Sequence, residues 1–306
     1  MRLCVLLLSA ALSAQAANYF VTVAGLGGTP EYETQFGKWA QELDHELNTG
    51  ADTHVVTLSG AAATRQRIEQ ELAKIAAESS VTDTFALFLI GHGSFDGKDY
   101  KINVPGPDMT GVELAKALNG IPAKRQLVVN MTSCSGASLV FLAKRDRVVV
   151  SATKSGTEKN APVFARYWID ALHDPSADTD KNGSISALEA FRYAERKTAA
   201  YFESEKLLAT EHALITDTAN ATGVRDPKPE NGQGLLAASF VLIRPHSDGT
   251  RALSPEKQKL VSKKEELEAK IDRLKYEKAA MEDSDYKQQL TVLLLELART
   301  QAEIDK

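Results

Sequence analysis

Short apolar runs alternate along the chain with longer stretches in which apolar residues recur three or four positions apart. The short runs have the length of buried β-strands, and the longer stretches have the period of amphipathic helices. The predicted strands are 19–24, 53–58, 85–90, 126–131 and 147–152. The predicted helices are 32–47, 64–77, 110–118, 138–144 and 161–172. The polar segment 94–109 predicts a loop. The alternation of strands and helices predicts an α/β fold in which helices cover both faces of a mostly parallel sheet.

The pattern becomes more varied after the last of these helices. An acidic loop at 178–189 precedes a helix that is predicted to extend to about residue 210. An apolar run at 235–243 predicts one further strand, and the polar residues 245–253 predict a linker.

The C-terminal segment 254–306 is rich in Lys and Glu and contains no glycine. Ser254 is a favourable N-cap, and Pro255 is a favourable first helical residue. Apolar residues recur seven positions apart at Leu260, Leu267, Leu274 and Met281. We expect Asp283-Ser-Asp285 to interrupt the helix, giving an antiparallel helical hairpin or a short coiled coil. Docking on the rest of the chain, self-association and partner binding all stay open for this segment.

The first 16 residues have the pattern of a signal peptide, with a charged Arg2, an apolar run at 3–12 and an A-x-A cleavage site ending at Ala16. We therefore expect an exported protein, in a bacterial periplasm or in the medium. No later apolar run is long enough to span a bilayer, so no membrane span is expected. The formal net charge of -5 argues against a nucleic-acid partner, which would favour a basic face.

A single cysteine remains once the signal peptide and its Cys4 are removed. Exported proteins normally pair their cysteines, so Cys134 is unusual. Cys134 follows one predicted core strand, and His92 follows another, between two glycines. A thiolate that attacks a carbonyl carbon needs one group to accept its proton and to protonate the leaving amine, and one imidazole can do both. Either residue alone is more often structural, but this combination predicts a catalytic dyad.

The motifs Gly91-His92-Gly93 and Cys134-Ser135-Gly136, each placed after an apolar strand, resemble those of the caspase–legumain superfamily of cysteine peptidases. Val23-Ala24-Gly25 at the first strand is also similar to the start of legumain. Legumain-like relatives usually carry an acidic residue two positions before the cysteine, where this chain has Thr132.

This resemblance implies a caspase-like three-layer sandwich as the catalytic domain, over residues 17–250. It implies that Cys134 is the nucleophile and His92 the general acid and base. It also implies that the backbone N–H groups of Gly93 and Cys134 stabilise the oxyanion.

The resemblance further places the substrate pocket in the loops that follow the first strand and the strand ending near Ser151. The pocket candidates are Glu31, Ser151, Thr153, Lys154 and Glu158. Glu31 and Glu158 would favour a basic substrate side chain and Lys154 an acidic one, so the preferred residue stays open.

The acidic loop 178–189 matches the calcium-binding loop of an EF-hand at every defined position. Ca²⁺ prefers six to eight oxygen ligands, and this spacing wraps them around one ion. The predicted ligands are Asp178, Asp180, Asn182, the carbonyl of Ser184 and Glu189. Because the sequence shows one such loop and extracellular calcium is abundant, a filled structural site is favoured over a switch.

Together these features predict a secreted, calcium-binding cysteine endopeptidase that cleaves peptide bonds through a thioester on Cys134. Its substrate would be a peptide or protein. Two alternatives stay open: a transamidase that uses the same dyad, and a non-catalytic calcium-binding interaction protein on a degenerate caspase-like fold.

Overall fold

The structure is a computed structural model, and it describes residues 16–48, 52–244 and 254–305. Nearly all of the predicted signal peptide and the whole of the predicted linker 245–253 lie outside the described residues.

The described residues form eleven β-strands and nine α-helices, joined by turns and short 3₁₀ segments. The strands are β1 (Asn18–Ala24), β2 (Thr53–Leu58), β3 (Thr84–Gly91), β4 (Gly93–Phe95), β5 (Tyr100–Ile102), β6 (Met109–Thr110), β7 (Arg125–Thr132), β8 (Arg147–Ser151), β9 (Ile185–Ser186), β10 (Leu214–Thr216) and β11 (Val241–Ile243). The helices are α1 (Pro30–Leu47), α2 (Arg65–Glu78), α3 (Gly111–Asn119), α4 (Leu139–Leu142), α5 (Phe164–His173), α6 (Ala187–Ser204), α7 (Leu235–Ser239), α8 (Pro255–Glu277) and α9 (Asp283–Ile304).

The central sheet has six strands in the order β10-β8-β7-β3-β1-β2. All neighbours are parallel except β10, which runs antiparallel to β8. In the pairing of β3 with β7, Gly91 lies opposite Thr132. The carboxyl ends of these two strands therefore meet at the same edge of the sheet.

Apolar side chains cover both faces of this sheet. Neighbouring strand residues point to opposite faces, so Phe88 packs with α1, α5 and α6, whereas Leu87 packs with α2 and α3. Strands buried on both faces need the continuous apolar runs that the sequence shows. The predicted α/β fold with three layers is confirmed.

A three-stranded antiparallel sheet, β4-β5-β6, occupies the segment that the sequence predicts as a polar loop. That prediction is wrong because these short strands mix polar residues with a few buried ones, including Tyr100 and Met109. The Tyr100 hydroxyl donates to Asn130 Oδ1 over 3.2 Å and lies 2.6 Å from Thr132 Oγ1. The small sheet is thereby fixed to the end of β7.

The prediction of one strand over 235–243 is also wrong. The first half of this segment forms the helix α7, and only Val241–Ile243 is extended. The carboxylate of Asp217 accepts hydrogen bonds from the backbone N–H groups of Gly234, Leu236 and Ala237. An acidic side chain satisfies the free N–H groups at a helix N-terminus, so this distant residue stabilises a helix in an apolar segment.

The C-terminal segment forms two helices, α8 and α9, which pack against each other. The break lies at 278–282, whereas Asp283 and Asp285 form the first turn of α9, where acidic residues are favourable. The prediction that these acidic residues interrupt the helix is therefore wrong. α8 buries Leu267, Ile271 and Leu274, and it contacts α7.

No helix among the described residues combines the length and apolar character that crossing a bilayer requires.

We expect Tyr100→Phe to lower the free energy of unfolding by about 1–3 kcal/mol, because it removes a fully buried hydroxyl and leaves its partners unsatisfied. Urea unfolding followed by circular dichroism measures this change. Tyr286→Phe, on the outer helix α9, is the matched control and should have little effect. Equal effects of the two substitutions would contradict the role given to the Tyr100 hydroxyl.

Candidate functional site

Cys134 begins the tight turn that follows β7. Its backbone φ is 57°, in the left-handed region that a non-glycine residue seldom adopts. A short 3₁₀ segment, Ser135–Ser138, follows directly and leads into α4. The side chain is almost entirely buried, with 2% of its surface exposed. The protein therefore maintains an uncommon backbone conformation at the predicted nucleophile.

His92 lies at the neighbouring strand end, directly after β3. Its Nε2 atom is 3.1 Å from the carbonyl oxygen of Gly27. The rings of Tyr32 and Phe36 meet the imidazole edge-on, with centroids 5.0 and 5.3 Å away. Within the described part of the chain, no hydrogen bond joins His92 to the Cys134 thiol. The two side chains share one edge of the sheet but contact different partners.

Phe95 and the loop 152–160 lie next to Cys134, since the thiol contacts the Phe95 backbone and the Cys134 N–H donates to the Glu158 carbonyl. Burial raises the pKa of this thiol, while the charge of Lys159 and the backbone N–H of Phe95 act in the opposite direction. Gly156 packs so closely on the Phe95 ring that an added Cβ would lie 2.1 Å from it. The thiol is therefore shielded and protonated at neutral pH in this conformation.

The two backbone N–H groups expected to hold an oxyanion have partners within the protein. The N–H of Cys134 donates to the carbonyl of Glu158 over 2.8 Å. The N–H of Gly93 donates to Ser133 Oγ over 3.0 Å, and this hydroxyl donates back to the Gly93 carbonyl. An oxyanion could use these donors only after the protein contacts are exchanged.

The Glu158 side chain holds the loop 152–160 in place. Its Oε2 atom accepts from the backbone N–H groups of Lys154, over 2.8 Å, and His212, over 3.2 Å. Its Oε1 atom contacts the ring Nδ1 of the same histidine. Sequence analysis missed His212, because it lies in an irregular segment 54 residues away from Glu158 and belongs to no motif.

A second carboxylate, Glu211, anchors the end of the same loop. It accepts from the backbone N–H groups of Val163 and Phe164, over 2.9 and 3.2 Å, at the start of α5. Burial raises the pKa of Glu211 to about 7, and the neighbouring charge of Glu158 adds to the shift. The loop over Cys134 is therefore fixed at Glu158 and again at its exit into α5.

The remaining pocket candidates differ in exposure. Ser151 and Thr153 are fully buried, and their hydroxyls bond to the Thr153 carbonyl and to the Gly136 N–H respectively. Neither hydroxyl is open to a substrate in this conformation. Glu31 and Lys154 are exposed to solvent, and the ammonium of Lys154 lies 3.6 Å from the Glu158 carboxylate.

The structure brings together the carboxylates of the predicted calcium loop. One ligand oxygen from each of Asp178, Asp180 and Glu189 lies within 4.8 Å of the others. The Asp178 carboxylate accepts from the N–H groups of Asn182 and Gly183, which closes the loop. Gly183 has a φ of 81°, as the sharp turn requires.

The chemistry of this oxygen set suits a hard divalent cation. Partial desolvation raises the pKa of Asp180 to about 6 although its side chain reaches solvent, and the nearby charges of Glu189 and Asp178 add to the shift. Asn182 Oδ1 accepts from the N–H and hydroxyl of Ser184, so the loop is ordered up to its seventh position. Crowded carboxylates of this kind fit Ca²⁺, which would relieve their mutual repulsion.

The strand within the loop, β9, pairs with β11 in antiparallel fashion. Ile243 lies opposite Ile185, and Val241 lies opposite Ser186. Ser186 also caps α6 in a capping box with Glu189. The carboxylate that would close the calcium site is thereby positioned by the start of the helix.

No protein-family model and no curated protein sequence matches this chain. Among solved structures, it is similar to a protein from Geobacter sulfurreducens at 13% identity and a TM-score of 0.44, covering 72% of this chain and 97% of that chain. It is similar to the Drosophila initiator caspase Dronc at 13% identity and a TM-score of 0.41, and the match covers 67% of this chain and 80% of that chain. It is similar to caspase-1 from Spodoptera frugiperda at 12% identity and a TM-score of 0.45, and the match covers 66% of this chain and 86% of that chain. These likenesses concern the layout of the fold and convey no activity.

We expect His212→Ala to increase the rate at which iodoacetamide labels Cys134, by about ten-fold or more, because it removes a charge-assisted contact that holds the covering loop. Mass spectrometry of the Cys134 peptide measures the rate. His173→Ala changes a half-exposed histidine with only long contacts and should leave labelling unchanged. Equal labelling of all three proteins would contradict the assignment of Glu158 and His212 as the loop's anchor.

Proposed function

We propose that this chain is an exported, calcium-binding cysteine peptidase whose site is closed in the described conformation. The observation that supports this most is the register of β3 and β7, with Gly91 opposite Thr132, which places His92 and Cys134 at one edge of the sheet. Active sites of parallel α/β sheets form at this edge. The resemblance of the two motifs to the caspase–legumain superfamily supports the assignment of Cys134 as the nucleophile and His92 as the general acid and base.

Catalysis would begin when the loop 152–160 moves away from Cys134. His92 would then turn from the Gly27 carbonyl and accept the thiol proton, and Cys134 Sγ would attack the carbonyl carbon of the substrate. The loop movement would free the Cys134 N–H from the Glu158 carbonyl, and the Gly93 N–H would exchange Ser133 Oγ for the substrate, so that both N–H groups stabilise the oxyanion. His92 would protonate the leaving amine, and water would hydrolyse the thioester. An amine in place of water would make the same site a transamidase.

Calcium has a structural role in this proposal. Asp178, Asp180, Asn182, the Ser184 carbonyl and Glu189 would hold the ion. When bound, Ca²⁺ supplies positive charge that balances the carboxylates and fixes the loop before α6. α6 packs on α5, whose start Glu211 joins to the end of the covering loop. The ion would therefore stabilise the scaffold behind the site.

A second function, that of a non-catalytic calcium-binding interaction protein, is supported by one specific observation. The thiol is 2% exposed, and both candidate oxyanion donors already have protein partners. A degenerate site would retain such contacts permanently. The hairpin of α8 and α9 would then provide the binding surface, since Val292, Leu294 and Leu295 of α9 are exposed apolar residues.

We expect the wild-type mature chain with calcium to cleave at least one member of a fluorogenic peptide panel that varies only in the residue before the scissile bond. Cys134→Ala should abolish turnover, because it removes the nucleophile. Cys134→Ser is a matched control that replaces the thiol with a hydroxyl of similar size, which is a much weaker nucleophile beside one imidazole, and it should be similarly inactive. Turnover that persists in Cys134→Ala would exclude this mechanism.

We expect His92→Ala to reduce kcat by at least about 10²-fold, because the reaction loses its general acid and base. His54→Ala, near the amino end of the edge strand β2 and so away from the carboxyl edge of the sheet, should keep most activity. If neither the wild-type chain nor the loop-releasing variant His212→Ala cleaves any peptide or reacts with a peptide acyl probe, the non-catalytic function is the correct one.

A further inference from the structure

The helix α8 contacts the predicted calcium loop directly. The ammonium of Lys264 donates to the backbone carbonyl of Asn182 over 2.9 Å. Glu268, one turn further along α8, lies 3.8 Å from the same ammonium. Both side chains are largely buried, with 18% and 24% of their surfaces exposed. The C-terminal hairpin therefore contacts the loop through this ammonium.

The Glu268 carboxylate faces the loop across the Lys264 ammonium, which lies 3.8 Å from Glu268 Oε1 and 2.9 Å from the Asn182 carbonyl oxygen. Burial raises the pKa of Glu268 to about 7; the charge of Lys264 opposes this shift and the charge of Asp180 adds to it. Glu268 thus adds a negative group beside a set that already includes Asp178, Asp180 and Glu189. A divalent cation in the loop would attract it.

We propose that α8 is a part of the calcium site, with Glu268 as an outer carboxylate that strengthens binding of the ion and Lys264 as the contact that joins the loop to the hairpin. This inference rests on the proposed calcium site. Calcium orders the loop that Lys264 contacts, so binding of the ion and docking of the hairpin stabilise each other. Such a coupling is reciprocal: whatever calcium adds to docking, docking adds to calcium affinity.

Neighbouring residues of α8 offer matched controls. Lys263 is adjacent to Lys264 but pairs with Glu296 of α9, at 2.9 Å. Glu266 pairs with Lys270, at 2.7 Å, and 66% of its side chain is exposed. Substitutions at Lys263 and Glu266 change the charge of the helix by the same amount without touching the loop.

The affinity experiment uses the full mature chain and calcium chloride in isothermal titration calorimetry. We expect Glu268→Gln to weaken calcium binding on the order of five-fold, because a unit charge near a divalent ion is lost. Glu266→Gln should stay within about two-fold of wild type, because an exposed charge is screened by solvent. Equal affinities for the two variants would overturn the role of Glu268.

Hydrogen–deuterium exchange then tests the coupling without relying on activity. We expect calcium, compared with a chelator, to slow exchange in peptides from α8 of the wild-type chain. Lys264→Met should reduce this protection, whereas Lys263→Met should retain it. Calcium binding that leaves α8 exchange unchanged would overturn the coupling and leave the calcium site standing. Failure of the wild-type chain to bind calcium at all would overturn the calcium site itself, and this inference with it.

Discussion

The parallel pairing of β3 with β7 is the constraint on which the candidate site depends. Each strand is buried on both faces, so the register between them is fixed by the packing of the two cores. Gly91 and Thr132 lie opposite each other, and the residues that follow them must emerge together. Gly93 is needed at this point, since a Cβ there would lie 2.4 Å from the Ser133 carbonyl oxygen. The proximity of the two predicted catalytic residues therefore follows from the core of the fold.

The calcium loop and the covering loop 152–160 are attached to the same pair of helices. The covering loop leads into α5 through the contacts of Glu211, and the calcium loop leads into α6. α5 and α6 pack against each other, with the rings of Phe164 and Phe191 6.5 Å apart. The packed pair of α5 and α6 therefore connects the predicted calcium loop with the covering loop.

Sequence reasoning succeeded where structure depends on neighbours in the chain. Continuous apolar runs predict β3 and β7, which the structure confirms. The spacing of oxygen-bearing residues predicts a calcium site, which stays a prediction, although Asp178, Asp180 and Glu189 lie close together. The predictions from sequence failed where a local structure depends on a contact with a residue that is distant in the chain. α7 is capped by Asp217, which lies 17 residues before the N-cap Gly234 and 19 residues before Leu236. The burial of Cys134 depends on Glu158, and Glu158 depends on His212, so no local pattern around the cysteine could have revealed it.

The closed site also sets how a peptidase on this scaffold would behave. Opening it breaks the bond between the Cys134 N–H and the Glu158 carbonyl and both contacts of Glu158 with His212. At about 1 kcal/mol net for each contact, these three contacts alone would place an open state about 3 kcal/mol higher in free energy, with a population below about 1%. The apparent affinity for substrate would fall in proportion to the population of the open state, because only the open state would bind substrate. Anything that weakens the anchor of Glu158 would raise activity without changing the catalytic residues. The strength of that anchor, rather than the identity of the dyad, would then control the enzyme.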